Sequence, residues 1–179
     1  MRVFIAVEIP ERIRSEIESA VKVCHKNVKP VPKSNIHITM EFLGELDQSG
    51  LQRVISMLED VKFEPFSVSL GKAGTFGKSA RVAFVHVETG ADKLKTLQSY
   101  IHNELSKIMK LEEREYTPHS SIARGGPKEL EALTAEMNSI WHGSDAFAVD
   151  SLVLKESTLG GPHAEHRTIF EKRLGPGSA

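Results

Sequence analysis

Two short segments that repeat one pattern constrain this chain more than any other feature. Asn35-Ile-His-Ile-Thr-Met-Glu-Phe-Leu-Gly44 and Thr117-Pro-His-Ser-Ser-Ile-Ala-Arg124 each place an imidazole two residues before a hydroxyl. In the first, Ile36, Ile38, Met40 and Phe42 alternate with the polar positions, which is the period of a strand with one buried face. His37 and Thr39 then share the other face. His119 and Ser121 do the same on a second strand, which Pro118 is suited to open. The two histidines are 82 positions apart in 179 residues, which points to an internal duplication.

The flanking sequence extends the repeat. A helical stripe of Leu51, Val54, Ile55 and Leu58 follows the first histidine strand, and Leu130, Leu133, Met137 and Ile140 or Trp141 follow the second. Phe66–Leu70 and Phe147–Leu152 read as strands next in order, each followed by a glycine-containing loop (Gly71 to Gly77; Gly160-Gly161). Strands headed by Arg81 and Arg167 come after those loops. The repeated unit is therefore read as histidine strand, helix, strand, strand. Amphipathic helices precede both histidine strands, one with Ile13, Ile17, Ala20, Val21 and Cys24 on its apolar face, the other with Leu94, Leu97, Ile101, Leu105 and Ile108. Arg2–Ile9 is a near-continuous apolar run suited to a central strand, and Asp145–Leu154 reads as a single strand. The class expected is α+β. Residues 1–174 form one bilobal domain of two pseudo-symmetric halves, with His37 and His119 facing each other across a cleft, and 175–179 form a flexible tail.

Net charge is −1, so no global basic field draws the chain onto nucleic acid, and any RNA contact must be local. Lys22, Lys26, Lys29 and Lys33 are the one candidate patch, read first as solvated surface. Aromatic residues make up 6%, which limits extended base stacking. A single cysteine, Cys24, excludes an intrachain disulfide and falls on a helix's apolar face, where a core thiol is expected. No run approaches the ~20 apolar residues of a membrane span, and no signal peptide precedes the first strand, so a cytoplasmic protein is expected. His163, Glu165 and His166 have a metal-like spacing with no supporting cluster; no metal and no cofactor are expected. His25, His86, His102 and His142 are read as structural or surface residues.

The paired His-x-hydroxyl motifs on a duplicated chain resemble the two-histidine (2H) phosphoesterase superfamily, and within it the archaeal and bacterial RNA 2′,3′-cyclic phosphodiesterases, also called 2′-5′ RNA ligases. The resemblance runs from Arg2-Val-Phe-Ile-Ala-Val through both motifs, including Arg124, to Leu152-Val-Leu-Lys-Glu-Ser-Thr-Leu159. It implies two antiparallel sheets flanking a central cleft with helices outside, and metal-independent hydrolysis of RNA 2′,3′-cyclic ends, tRNA-derived ones among them, to 2′-phosphate by a monomer. Ser121 departs from the usual threonine, and His166 stands where many relatives carry tyrosine.

The chemistry suits the residues. Opening a cyclic phosphodiester needs a base for water, an acid for the departing ribose oxygen, and donors for the phosphoryl oxygens. Two histidines can divide the first two tasks. Thr39, Ser121 and Arg124 can supply the donors. By analogy His37 is the proton donor and His119 the acceptor. Arg124 lies five residues past His119, so strict alternation aims it away from the cleft unless the strand ends or bulges near Ala123-Arg124. The rival readings are a 2′-5′ RNA ligase or 2′-5′ phosphodiesterase using the same histidines, and a non-catalytic RNA-end binding module.

Overall fold

The structure, a computed structural model, describes residues 1–24, 27–77, 79–161 and 163–176. In chain order the strands are β1 (Arg2–Glu8), β2 (Lys29–Pro30), β3 (His37–Glu45), β4 (Phe66–Thr75), β5 (Val82–Thr89), β6 (His119–Arg124), β7 (Phe147–Val149), β8 (Ser151–Thr158) and β9 (Glu165–Arg173). The helices are α1 (Glu11–Cys24), α2 (Gln48–Glu59), α3 (Ala91–Ser106) and α4 (Pro127–Ile140), with a 3₁₀ turn at Lys33–Asn35. Two antiparallel sheets result, one ordered β3-β1-β8-β9 and the other β2-β6-β5-β4-β7.

The strand orders correct the sequence reading of the repeat. β3-β1-β8 in one sheet matches β6-β5-β4 in the other. The counterpart of the Arg81-headed strand is thus β1, headed by Arg2, and not the Arg167 strand, β9, which is an edge. Both β1 and β5 lie between two neighbours and carry runs of consecutive buried residues, as strands covered on both faces do. β9 instead has no fully buried residue. The sheets are also not the halves of the sequence. β8, from the C-terminal half, completes the His37 sheet, and β4, from the N-terminal half, completes the His119 sheet. The stretch read as one strand over Asp145–Leu154 is two, β7 paired to β4 and β8 paired to β1, with the chain changing sheets at Asp150. Within the expected tail, Gly175 bridges Phe63; 177–179 lie outside the described residues.

The connecting helices interlock the two sheets. α1 packs on α4 and β6, α3 packs on β3, and β3 and β6 themselves come into contact. The expected stripes are the buried ones: Ile13, Ile17, Val21 and Cys24 on α1, Leu94, Leu97, Ile101 and Leu105 on α3, and Leu130, Leu133 and Met137 on α4. Asp47 caps α2 by accepting a hydrogen bond from the Gly50 amide at 2.7 Å. Gly90, at φ 79°, could not carry a side chain, because a Cβ there would fall 2.4 Å from the Ser67 carbonyl oxygen.

A bulge in β4 is held by α4. The register of β4 on β5 shifts between Leu70 and Ala73, which removes the ladder partners of the intervening backbone. Asn138 clamps the residue where the pairing resumes: its Nδ2 donates to the Ala73 carbonyl at 3.0 Å and its Oδ1 accepts from the Ala73 amide at 2.8 Å. Trp141 Nε1 donates to the Gly71 carbonyl at 2.9 Å. Asn138→Ala leaves a part-buried amide and carbonyl unpaired and is expected to lower stability by about 1–3 kcal/mol. Urea denaturation would show this as a lower midpoint with an unchanged slope.

Candidate active site

β3 carries its polar face into the cleft because Ile36, Ile38 and Met40 are drawn into the core. Two register shifts along its pairing with β1 then break the alternation. Leu43 turns inward, and Phe42 is left 63% exposed. The strand period puts Phe42 in the core with Met40; the bulge places it on the cleft wall instead.

β6 uses the same device. Its pairing with β5 shifts between Ala83 and Phe84, so that Ile122 and Ala123 are both buried. This extra inward residue reverses the phase of the strand and turns Arg124 outward, beside Lys29 of β2. The bulge that Arg124 needed is present, centred on Ile122. His37, Thr39, His119, Ser121 and Arg124 together line one cleft of about 720 Å³.

Each histidine rests against a phenylalanine from the adjacent central strand. Phe4 of β1 lies 5.0 Å from His37, ring centre to ring centre, and Phe84 of β5 lies 5.2 Å from His119. The sequence contained the signal in its two arginine-headed apolar runs, Arg2-Val-Phe and Arg81-Val-Ala-Phe, offset by one residue. The polar edges of the two rings differ. His119 Nδ1–H donates to the Thr117 carbonyl at 2.6 Å, since a carbonyl can only accept, and this leaves Nε2 free for a ligand. His37 Nδ1 is buried without a hydrogen-bond partner among the described residues.

Burial is the main reason that the His37 pKa falls, to about 3, and positive charge on His166, Lys155 and Arg14 adds to the effect. The Asn35 backbone opposes the fall by favouring the protonated ring. Lys155 is 4% exposed and paired with Glu8 at 2.5 Å. His166 stands 5.4 Å from His37 and 4.9 Å from Phe4. Its pKa is also lowered, by burial and then Lys155, with Glu8 opposing. His166, weighed in the sequence only for a metal site and as the residue standing where relatives carry tyrosine, is thus a third imidazole of the cleft.

Other residues fall elsewhere. Lys22 pairs with Glu18 and Lys33 with Glu11; Lys29 alone of the basic candidates lines the cleft, and Lys26, like His25, lies outside the described residues. Neither His86 nor His102 is isolated. His86 packs on Phe84 at 4.7 Å. His102 donates to Glu41 at 2.9 Å, and that hydrogen bond raises its pKa. Cys24 is a free, buried thiol, its pKa raised by burial and then by Glu136. Among the described residues no three His, Cys, Asp or Glu side chains are grouped to hold a metal ion, and no helix is long and apolar enough to cross a membrane.

Residues 9–160 match the 2′-5′ RNA ligase superfamily, and the chain belongs to it. It is 35% identical over 166 residues to the RNA 2′,3′-cyclic phosphodiesterase of Methanocaldococcus jannaschii, covering 89% of this chain and 92% of the relative. The RNA 2′,3′-cyclic phosphodiesterase of Bacillus subtilis is 31% identical over 182 residues, at 96% and 87% coverage. In fold, the chain superimposes on Escherichia coli LigT complexed with 3′-AMP with a TM-score of 0.82 at 20% identity, over 97% of each chain. A Thermus thermophilus protein gives a TM-score of 0.81 at 20% identity, over 99% of this chain and 100% of that one.

The His37 environment predicts a pH effect on stability. Its folded pKa lies below the unfolded value of ~6.5, so the unfolded chain binds the extra proton. The stabilising contribution is complete above pH ~6.5 and is lost as pH falls toward about 3. Between pH 7 and 5 the loss is at most about 2 kcal/mol, because one edge of the ring opens to the cleft. Denaturation at both pH values should show a smaller loss in His37→Gln than in the wild type.

Proposed function

We propose that this protein hydrolyses RNA 2′,3′-cyclic phosphate ends to 2′-phosphate by acid–base catalysis with His37 and His119 and without a metal. The observation that carries the reading is the single cleft lined by both imidazoles, both motif hydroxyls and Arg124. The names of the relatives from M. jannaschii and B. subtilis support the substrate class.

His119 is the base. With its Nδ1–H held by the Thr117 carbonyl, the neutral ring keeps a lone pair on Nε2, and this takes a proton from water. The water oxygen attacks phosphorus as the bond to O3′ breaks in line with it. His37 gives a proton to O3′, and the 2′-phosphate remains. In the free protein His37 is neutral near pH 7, since burial holds its pKa at about 3. The anionic phosphodiester brings the counter-charge that the buried ring lacks, so His37 gains its proton as substrate binds. Thr39 and Ser121 donate to the phosphoryl oxygens, and Arg124 pairs with one of them. We further propose a monomer acting in the cytoplasm on RNA ends such as those derived from tRNA.

A binding module needs arginines and aromatics but not two imidazoles on opposite walls, so hydrolysis is the reading favoured. The test is an oligoribonucleotide with a 2′,3′-cyclic end incubated with EDTA. Turnover should persist and yield a terminal 2′-phosphate; loss of activity on chelation, or a 3′-phosphate product, would overturn the mechanism. His37→Ala and His119→Ala should each reduce kcat by roughly 10²–10⁴-fold with an unchanged far-UV spectrum. Because His37 is protonated only in the complex, inorganic phosphate should raise its pKa in a proton NMR titration.

A further inference from the structure

Unpaired polar atoms collect on the closed side of His37. Among the described residues five buried side-chain nitrogen or oxygen atoms make no hydrogen bond, and four of them belong to Glu8, Arg14, His37 and His166. Buried polar groups are rarely left unpaired, so four in one place need a reason. The strands bring them together. Glu8 of β1 is the register partner of His37 on β3, so the two side chains stand opposite each other on one face of the sheet. Lys155 of β8 reaches the same carboxylate from the other side, with its Nζ 2.5 Å from Glu8 Oε1. One carboxylate oxygen is thus held by a buried ammonium. The other, Oε2, is buried and makes no hydrogen bond among the described residues.

The loose ends match in kind. An ionised carboxylate only accepts, and a protonated imidazole carries an N–H on both nitrogens. With its cleft-side nitrogen turned to the phosphate, a protonated His37 has its second N–H on Nδ1, where it needs an acceptor. The other charged and titratable groups around the ring are poorer partners. Lys155 and Arg14 of α1 only donate, as does Arg124 of β6 across the cleft. His119 of β6 has its Nδ1 tied to the Thr117 carbonyl. His166 of β9, 5.4 Å away between ring centres, offers a neutral nitrogen, which accepts from a cation more weakly than an anion does. Arg14 Nε is the remaining unpaired donor, but its guanidinium is drawn to Glu11 at 3.0 Å.

We infer that Glu8 is a positioning residue for the acid: its Oε2 accepts the Nδ1–H of His37 once that ring is charged, while Lys155 holds Oε1 and fixes the carboxylate. The inference rests on the proposed function for its place in the reaction, though not for the contact itself. His37 takes its extra proton from solvent as the phosphodiester binds. The proton on Nε2 goes to O3′ as the bond from O3′ to phosphorus breaks. His37 is left neutral with its Nδ1–H still on Glu8, and Glu8 stays ionised throughout. The lone pair is thereby fixed on Nε2, where the next proton must arrive. Glu8 does not touch the phosphate, so it acts on kcat rather than on KM.

Proton NMR of the imidazole N–H groups, with inorganic phosphate in the cleft, tests the contact. Phosphate-bound wild type should show a slowly exchanging Nδ1–H of His37. Glu8→Gln should abolish it, because Lys155 keeps the amide oxygen and the remaining NH2 group cannot accept; His166→Phe should leave it in place. Glu8→Gln should also lower the His37 pKa in that complex by about one pH unit, and lower kcat on an oligoribonucleotide with a 2′,3′-cyclic end by roughly 10-fold to 100-fold with KM little changed. Lys155→Met frees the carboxylate and should keep the Nδ1–H and raise the His37 pKa. The double variant, whose amide can turn its oxygen to the ring, should recover the Nδ1–H. An Nδ1–H that survives Glu8→Gln or vanishes in His166→Phe overturns the inference, as does wild-type kcat in Glu8→Gln. Should Glu8→Gln alone not fold, for want of a partner for Lys155, absence of the Nδ1–H from both Lys155→Met and the double variant overturns it. A wild type that shows the Nδ1–H but opens no cyclic end overturns the proposed function and leaves the Glu8 contact standing.

Discussion

The phase of two strands decides what the cleft contains. Side chains alternate along a strand, so a single bulge sends everything beyond it to the other face. In β3 the shifts past Thr39 keep His37 and Thr39 on the cleft wall and add Phe42 to it. In β6 the extra buried residue at Ile122–Ala123 leaves His119 and Ser121 where they were and brings Arg124 round. Without that second bulge the arginine would point away from the two imidazoles and the hydroxyls, and Lys29 would be left as the cation of that wall.

This phase is held from behind by the exchange of strands between halves. Because β8 closes the His37 sheet and β4 closes the His119 sheet, neither sheet can move far without unpairing the other half of the chain. α1 against α4 and β6, and α3 against β3, tie the sheets again through buried aliphatic stripes. Direct contact between β3 and β6 then sets the separation of the two histidine strands. The clamp of Asn138 on Ala73 belongs to the same scheme, since it stabilises an irregularity in β4 that the ladder alone could not satisfy.

Much of this was legible in the sequence. The two motifs, the helical stripes, the α+β class and the meeting of His37, Thr39, His119 and Ser121 in one cleft follow from period, spacing and duplication, whereas Arg124 came from the family resemblance and needed a bulge to reach that cleft. What was not legible depends on partners remote along the chain. Whether Phe42 is buried depends on the register β3 takes against β1. Pairing the Arg81 strand with the Arg167 strand failed because order along the chain does not reveal which strand sits in the middle of a sheet; the uninterrupted apolar character shared by Arg2–Glu8 and Val82–Thr89 was the better guide. His102 was read as a structural or surface residue, and His166 beside His163 rather than His37, because their neighbours, Glu41 and His37, are supplied by β3 far upstream.

The two histidines, equivalent by pattern, are made unequal by their surroundings. His119 has a carbonyl for its Nδ1 proton. His37 has none, lies against Phe4, and sits near the cations of Lys155 and Arg14. A site that must hold one imidazole as base and use the other as acid needs such an asymmetry, because two identical rings in one cleft would compete for the same proton. The duplication supplies two copies of the strand, and the residues that differ between the copies divide the labour. Lys155 with Glu8 is the pair that marks the His37 side. Keeping a lysine buried there costs solvation, and its charge adds to the burial that holds the pKa values of the neighbouring rings down. In the proposed mechanism an incoming phosphodiester anion offsets that positive field, so the same contact that binds the substrate also charges His37.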